Sequence, residues 1–549
     1  MSWSDSSSRC VVIFAGSPHA LSAVEHVEAV ARAFPTWRFV VVQQHPPRTP
    51  RGRWLRAKLR RLQREPVSYP LELLEQSAGR LLRPTPRTIA GAVALPQRFE
   101  DLRLPKVSVH SCAQLHDSDA LAYVRSLRPW LGLAIGAPIL RPELFRIPQL
   151  GTLNLHKGLL PDYRGMPPGF WELHDGAEFS GVTVHRVDEG LDTGPIVLQR
   201  RLPVPTHPTV TGLATALDQL GTETLIDALR QLETVDEPCR AAAQPLHKEA
   251  SRPHRRPSWR IARSVRHRLA ERRRPVQSLR ARLRSVAKHA VLAAYVHLWA
   301  PLRNRIRARR GQCHAAVLLY HRVSDELLDS VTVGVEQFQR QIDLLRRHYD
   351  VVDLPTLLAR RGQPRNRPCV AITFDDGYAD NLPAALLLRR AGLPATFFLS
   401  TAIVGTDGAF PHDLQSLGRR IEPLTWEQAR RMAGWGFDFG NHTEHHTRLS
   451  TVTPDDALQE IQAAEQQLDA ELHRNGRPRC LAYPYGREAD CTDAVRRSLA
   501  DADISACLSA YGGVNPPDFD PMNIRRQGVD HSFSPLAFRA AVEGWRWRA

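Results

Sequence analysis

What this chain lacks narrows its chemistry first. Its eight cysteines (Cys10, Cys112, Cys239, Cys313, Cys369, Cys480, Cys491 and Cys507) are scattered through 549 residues, and no two form a C-x-x-C pair. That spacing argues against a disulfide framework and a thiolate zinc site, and it fits a reducing, cytoplasmic setting. No secretory signal is evident: the first apolar run, "VVIFAG" at 11–16, is short and reads as a buried strand. No G-x-G-x-x-G occurs, so a dinucleotide site is not indicated. The histidine-rich stretch "NHTEHHTRLS", from Asn441, has Thr443 where the zincin pattern H-E-x-x-H needs a glutamate. A third ligand for any metal held by His442 and His446 must therefore come from elsewhere in the chain.

Acidic residues are missing from one segment. Between Ser251 and Gln312 stand 19 Arg or Lys and a single acid, Glu271. The net charge of +17 resides there, since the remainder carries 55 basic against 56 acidic residues. Charge so confined suggests a connector with an anionic partner of its own, either a membrane surface or a nucleic acid. The segment opens on "SRPHRRPSWR", prolines among arginines, which reads as flexible linker. It continues to "HAVLAAYVHLWAPL" (289–302), about 14 mostly apolar residues against the roughly 20 needed to span a bilayer. Two readings of that stretch stand: an amphipathic helix lying on a membrane surface, or a helix packed on a neighbouring domain. A second basic cluster, "RGRWLRAKLRRLQRE" (51–65), reads as a solvated helix face.

A composition of 42% hydrophobic and 24% charged residues over this length asks for two or more globular domains. The expected organisation is α/β: a doubly wound parallel-sheet domain with a helical tail over 1–247, the basic connector over 248–312, and a (β/α) barrel over 313–549. In the last part, apolar runs ("AAVLLYH", "CVAITFDD", "PATFFLS", "GFDFGNHT", "CLAYPYG", "ISACLSA", "NIRRQGV") alternate with helical stretches such as "VEQFQRQIDLLRRH". Repeated β-α units imply a parallel sheet, here closed into a barrel. His321, Asp375 with Asp376, His442 and Pro484-Tyr485 all sit where apolar runs end, and in parallel barrels those strand ends carry the chemistry. Adjacent carboxylates in "TFDDGYAD" suit a division of labour. One binds a divalent metal beside two neutral imidazoles, and the other takes a proton from the attacking water. Alone, Asp-Asp-Gly is also an ordinary turn after a strand.

Together these residues resemble the polysaccharide deacetylase family with the NodB-homology fold, a distorted (β/α) barrel that hydrolyses N-acyl groups on amino sugars. The resemblance spans about 313–530. Through Thr373-Phe374-Asp375-Asp376 it implies Asp375 as catalytic base and Asp376 as metal ligand. Through His442-Thr443-Glu444-His445-His446 it implies His442 and His446 as the other ligands, with His445 facing away. The implied cofactor is Zn2+ or another divalent metal. In the third motif, Ala482-Tyr483-Pro484-Tyr485-Gly486, the family's arginine is absent at 482. The family's Leu-x-His acid has no clear match, and His321 and His531 are the candidates for its role.

In the first half, "VVIFAGSPHALSAVEHVEAV" reads as strand, small-residue turn and helix, the start of a doubly wound domain. Further strands are expected at "FVVVQQH", "LGLAIGA", "GTLNLH", "GVTVHRV" and "PIVLQRRL". Asn154 and His156 share one face of an extended strand, and Asp192 lies in the Gly-flanked loop "DEGLDTG". An imidazole to take a proton from an amine, an amide to meet a tetrahedral oxyanion and a carboxylate to orient the imidazole are what direct acyl transfer to an amine requires. "FAGSPHAL", "NLHKGLLPDYRG" and "GVTVHRVDEGLDTGPIV" resemble the folate-dependent formyltransferases over about 10–245, both the methionyl-tRNA and the sugar N-formyltransferase kinds. The resemblance implies Asn154, His156 and Asp192 as the catalytic triad and N10-formyltetrahydrofolate as donor. It implies a folate site around Gly136 and Ile139 and in the loop holding Asp188 and Gly190.

Both chemistries act on an amide nitrogen. The pairing points to an amino sugar or N-acetylamino sugar, carried on a nucleotide, a lipid or a polymer, as the shared substrate. The alternatives are formylation of tRNA with an appended deacetylase, and a barrel that binds sugar without catalysis. Against tRNA, the arginines of the connector are interleaved with little aromatic surface for stacking on bases, Trp259 alone standing among those of 252–288, and no dedicated RNA module is evident.

Overall fold

The computed structural model describes residues 9–16, 21–44, 89–90, 98–234, 257–271, 288–327, 329–474, 476–490 and 492–545. The basic cluster 51–65, most of "SRPHRRPSWR", part of "FAGSPHAL", Cys239 and Cys491 lie outside the described residues. The chain forms two compact units. One comprises 1–82 with 96–273, the other 83–95 with 274–549.

In the first unit, seven strands form one sheet: β1 (Cys10–Ala15), β2 (Arg38–Gln44), β3 (Val107–Cys112), β4 (Leu131–Ala134), β5 (Thr152–His156), β6 (Phe179–Arg186) and β7 (Ile196–Pro203). Their order is β3-β2-β1-β4-β5-β6-β7. The first five are parallel, and β6 and β7 complete the sheet as an antiparallel edge. Val11 and Ile13 pack with the helices Leu21–Ala33 and Val210–Thr234, whereas Val12 and Phe14 pack against Val124 and Phe145 on the opposite face. Burial on both faces is why β1 reads as an unbroken apolar run. Strand β3 was not expected from the sequence. It lies at the sheet edge, so Ser108, His110 and Ser111 are tolerated and the apolar signal is thin. The helix Trp259–Glu271, from the basic connector, belongs to this unit and buries Val265 and Leu269 in its core.

The second unit is a nearly closed parallel barrel. Its strands are β8 (Ala315–Tyr320), β9 (Asp350–Val352), β10 (Cys369–Phe374), β11 (Thr396–Leu399), β12 (Asp438–Asn441), β13 (Cys480–Ala482), β14 (Ala506–Leu508) and β15 (Arg526–Gly528). Parallel pairing runs from β15 through β8 to β10, then through β11, β12 and β13 to β14, with β9 also on β10. A parallel bridge between Leu508 and Ile524 brings the chain entering β15 against β14, which nearly completes the ring. Of these strands only the three-residue β9 was not expected, being too short to show a period. It pairs in turn with Ile89–Ala90, a piece of the first half of the sequence that belongs to this unit.

Aromatic stacking ties the barrel wall to its helices. Tyr320, Phe374 and Phe397 stack across β8, β10 and β11 at centroid distances of 5.3 and 4.8 Å, with Phe338 of the helix Val335–His348 edge-on to the first two. The helical run 288–309 packs on the same unit. Leu292 and Val296 meet Ala537 and Ala540 of the helix Pro535–Val542, and Arg303 pairs with Glu543 at 2.9 Å. No helix among the described residues is long and apolar enough to cross a membrane. Truncating a fully buried end ring of the aromatic stack, Phe397→Ala, is expected to cost about 3–5 kcal/mol. The exposed Leu414→Ala should stay within about 0.5 kcal/mol. Urea denaturation midpoints of the two variants test the difference.

Candidate active sites

At the barrel mouth Asp375, Asp376 and His442 are each set by a strand end. Asp375 and Asp376 follow β10, and the Asp375 N–H donates to the Tyr320 carbonyl at 2.9 Å. His442 follows β12. The Asp376 Oδ1 atom lies 3.2 Å from the Nε2 atoms of both His442 and His446, and all three residues are buried. Their ligand atoms fall within 4.8 Å of one another. The His442 Nδ1 donates to the Ala482 carbonyl at 2.8 Å, which leaves its Nε2 in the neutral ring as a lone pair facing a carboxylate oxygen. Two acceptors at that separation require a cation between them, either a proton or a metal ion. One carboxylate and two imidazoles so arranged fit Zn2+ or another divalent metal. Burial would by itself raise the Asp376 pKa, but hydrogen bonds to His442 and His446 outweigh it and hold the carboxyl well below the usual aspartate range. For His442, burial works downward and is outweighed by Asp375 and Asp376, so its pKa is raised. For His446 burial wins, and its pKa is lowered.

The residue that sequence reasoning missed is Arg526. From β15, its two terminal nitrogens donate to the two Asp375 oxygens at 2.6 Å each, while its Nε donates to the Ser509 carbonyl at 2.9 Å. It is fully buried. Burial would raise the Asp375 pKa, but Arg526 and His442 outweigh it and bring it below the ordinary value, so the carboxylate stays ionised. Position 482 is alanine, and the arginine that meets Asp375 comes instead from β15. The signal was present in "NIRRQGV": a charge inside a barrel strand is tolerated only when paired. His412 was also missed. From the helix Pro411–Leu417 its Nε2 lies 2.9 Å from the Tyr378 hydroxyl and 3.8 Å from Asp376 Oδ2.

Of the two histidines considered for the acid, His321 follows β8, with Asp376 and Asp375 raising its pKa against a stronger lowering by burial. His531 is exposed and bonds through Nδ1 to the Asp329 carbonyl at 2.7 Å. His445 is exposed as well, its Nδ1 2.9 Å from Glu460 Oε1. At the rim, the Tyr485 ring packs 5.0 Å from the His446 ring, with the Arg448 guanidinium 4.2 Å from its centroid.

In the first unit, β5 and the loop before β7 bring three residues together. Asp192 Oδ1 lies 3.4 Å from Asn154 Nδ2, and Asp192 Oδ2 lies 3.6 Å from His156 Nδ1. The Gly165 N–H donates to Asp192 Oδ2 at 3.0 Å. His185, which the sequence reading omitted, joins them across the β5–β6 pair, its Nε2 3.0 Å from Asn154 Nδ2. Burial would raise the Asp192 pKa. His185, His156 and the Gly165 N–H outweigh it and lower it. Burial favours the neutral ring of His156 and lowers its pKa against the opposing pull of Asp192. In this arrangement His156 Nε2 is bonded to the Tyr163 carbonyl at 2.6 Å. The polar groups here satisfy one another, and a substrate must displace such contacts to engage them.

The residues considered for folate divide between two loops. Gly136 follows β4 with φ +62°, and its carbonyl accepts from the Gly16 N–H at 3.2 Å. A Cβ on Gly16 would meet that carbonyl at 2.9 Å, so the approach of the two turns requires glycine. Ile139 is strongly exposed. Asp188 closes its own loop by accepting from the Gly190 N–H at 3.1 Å and the Thr193 hydroxyl at 2.6 Å.

Two measurements bear on the barrel site. Metal analysis of the purified chain should find a tight equivalent of Zn2+ that is lost in Asp376→Ala and kept in Asp375→Asn. Arg526→Met strands a buried carboxylate and should cost about 3–5 kcal/mol of stability, whereas Arg526→Met with Asp375→Leu should recover most of it. Chemical denaturation of the single and double variants measures both.

Residues 87–229 match the family model described as formyl transferase, and residues 362–506 match that described as polysaccharide deacetylase. Among curated relatives, the methionyl-tRNA formyltransferase of Deinococcus radiodurans is 36% identical over 180 residues, covering 32% of this chain and 52% of the relative. That of Anaeromyxobacter dehalogenans is 40% identical over 121 residues, covering 22% and 39%. The chain spans about half the length of these curated relatives or less. Among solved structures, the Streptococcus pyogenes deacetylase PplD in complex with acetate is 20% identical with a TM-score of 0.35, covering 42% of this chain and 98% of that one. A sugar N-formyltransferase from Shewanella sp FDAARGOS_354 is 16% identical with a TM-score of 0.27, covering 43% and 73%. The chain therefore carries a formyl transferase domain match in its first half and a polysaccharide deacetylase domain match in its second, and it resembles both families.

Proposed function

We propose that the chain is a bifunctional amino-sugar-modifying enzyme of the cytoplasm, acting in glycan or glycolipid biosynthesis. The first unit transfers a formyl group from N10-formyltetrahydrofolate to a sugar amine, and the second hydrolyses an N-acyl group, most simply acetyl, from an amino sugar. The observation that carries the reading is the presence of two separate convergences in one chain: Asp192 with Asn154 and His156, and Asp376 with His442 and His446 beside the Arg526-held Asp375.

In the barrel, Asp376, His442 and His446 would hold the divalent ion, which supplies polarisation of the acyl oxygen and a lowered pKa for the attacking water. Asp375 accepts that water's proton. Because Arg526 keeps it ionised it is always ready as a base but a weak one, so it depends on a water made more acidic. The carbon–nitrogen bond then breaks, the nitrogen takes up a proton, and a carboxylate and a free amine leave. We assign delivery of that proton to His321, which follows β8 where that strand lies against the β10 end carrying both carboxylates, rather than to the exposed His531, with the proton taken from the water as its source.

In the first unit, the sugar amine attacks the formyl carbon and the bond from that carbon to N10 of the folate breaks. His156 takes the amine proton once substrate displaces the Tyr163 carbonyl and would return it to the departing nitrogen, Asn154 donates to the oxyanion, and Asp192 stabilises the charged imidazole. The Gly136–Ile139 turn and the loop with Asp188 and Gly190 are assigned to the folate. If both units handled the same formyl group, the chain would run a futile cycle. The economical order is removal of acetyl followed by formylation, with formylation, transfer to a lipid carrier and deformylation as its variant.

A second acceptor has support of its own: the curated relatives named above are methionyl-tRNA formyltransferases. The tRNA-directed enzymes continue into a β-rich domain, whereas between Pro203 and Ala315 the described residues here contain helices and no strand. Mass spectrometry of a panel of nucleotide-linked amino and N-acetylamino sugars, incubated with the chain and N10-formyltetrahydrofolate, separates the readings. Expected is N-formyl product from an amino sugar, reduced about a hundredfold or more in His156→Ala. The same product is expected from an N-acetyl sugar and should be lost in Asp376→Ala. Formylation of charged tRNA with none of any sugar would sink the sugar reading.

A further inference from the structure

The helical run 288–309 has two apolar sides, and the barrel unit uses one. Leu292, Val296 and Ala300 recur every four residues and are buried. Val291, Leu298, Leu302 and Ile306 recur at spacings of seven, four and four and remain 55%, 72%, 55% and 48% exposed, with Trp299 beside them at 57%. An isolated exposed leucine needs no explanation, but four aliphatic side chains and an indole along one short helix make a continuous apolar stripe. From Arg272 to Ser324 the chain holds 13 Arg or Lys and no acid. Arg305 and Arg309 are exposed on the same helix, interleaved with the end of the stripe, and Arg310 is exposed just past its last residue.

We propose that this stripe is a docking face for an anionic membrane surface. Its aliphatic side chains and Trp299 enter the boundary between headgroups and acyl chains, while the arginines meet lipid phosphates. The inference goes beyond the proposed activities and does not depend on them. Charge chooses the occupant. A second copy would set the arginines of one stripe against those of the other, whereas an anionic bilayer offers an apolar layer topped by the opposite charge. The helix has too short an apolar stretch to span, and another of its sides is already committed to the helix Pro535–Val542, so the geometry is that of a helix lying in the plane of the surface. Tyr295 and Arg303 fix the helix to the barrel unit, the first donating to the Glu543 carbonyl at 2.8 Å and the second pairing with the Glu543 carboxylate. The stripe is therefore presented ready-formed, without a folding cost at the membrane.

Co-sedimentation of the full chain with vesicles of phosphatidylcholine, with and without phosphatidylglycerol, tests this. Binding is expected with phosphatidylglycerol, weakening as salt rises, and little without it. Leu298→Glu with Leu302→Glu should lower partitioning at least about tenfold, and Arg305→Glu with Arg309→Glu should lower it on anionic vesicles. All four positions are exposed, so unchanged thermal melting of the variants certifies the fold. Absence of binding to phosphatidylglycerol vesicles, or binding undiminished by the leucine substitutions, would overturn the proposal. So would an oligomer that the leucine variant dissolves while neither protein binds vesicles, because the stripe would then belong to a second copy.

Discussion

Two adjacent carboxylates buried at the end of one strand are the constraint around which the barrel mouth is arranged. Asp375 and Asp376 are each about 2% exposed, and neighbouring buried negative charges would ordinarily force one to take a proton. Both pKa values are instead lowered, because positive partners reach them from different elements. Arg526, on the last strand, takes both oxygens of Asp375. His442 and His446, on the loop after β12, share one oxygen of Asp376. Only a nearly closed ring brings the last strand of the unit, β15, beside its first, β8. The β15–β8–β10 pairing carries Arg526 to Asp375, so closure and charge compensation are one requirement.

Holding the groups so close leaves strain in the backbone. Of the eight non-glycine residues with positive φ among those described, Asp376, Thr443, His446 and Tyr485 belong to the barrel mouth and Asp192 to the first site. Each such conformation costs on the order of 1–3 kcal/mol, most readily tolerated where the surroundings over-determine it. The loop after β12 shows how. Asn441 accepts from the Thr443 N–H at 2.7 Å and donates to the Ile461 carbonyl and Glu465, and the Thr443 hydroxyl accepts from the Thr447 N–H at 2.9 Å. Ser400 holds the His442 carbonyl from the neighbouring strand turn. Those bonds fix His442 and His446 on one side of the turn. They also explain why His445, between them, turns outward to Glu460.

Much of this was legible in the sequence, and what was not has physical reasons. Strands buried on both faces are unbroken apolar runs, so β1, β8 and β10 announce themselves, and chemistry at the ends of parallel strands follows from where those runs stop. The edge strand β3 and the three-residue β9 leave little period to read. Asn154 and His156 were visible because they share a strand face, whereas His185 comes from the opposing strand and becomes a neighbour only through the β5–β6 register. Arg526 is more than 150 residues from Asp375 in sequence. Its position was marked by a charge inside an apolar strand, but its partner was set by barrel closure, which a linear pattern does not contain.

The stretch 289–302 teaches the converse, that a pattern can be plain and still admit two meanings. A helix apolar on one side has a clear periodicity, and one apolar all round signals full burial. This one is apolar on two sides because two surroundings select its residues, and an analysis by period alone sees only excess hydrophobicity. The barrel accounts for Leu292, Val296 and Ala300. Tyr295 and Arg303 are accounted for by Glu543. Subtracting those partners leaves Val291, Leu298, Trp299, Leu302 and Ile306, an exposed set with its own helical spacing. A residual stripe that remains periodic after the fold has taken its share is a stronger indication of an external surface than the hydrophobicity of the whole segment, because chance exposure would not preserve the spacing.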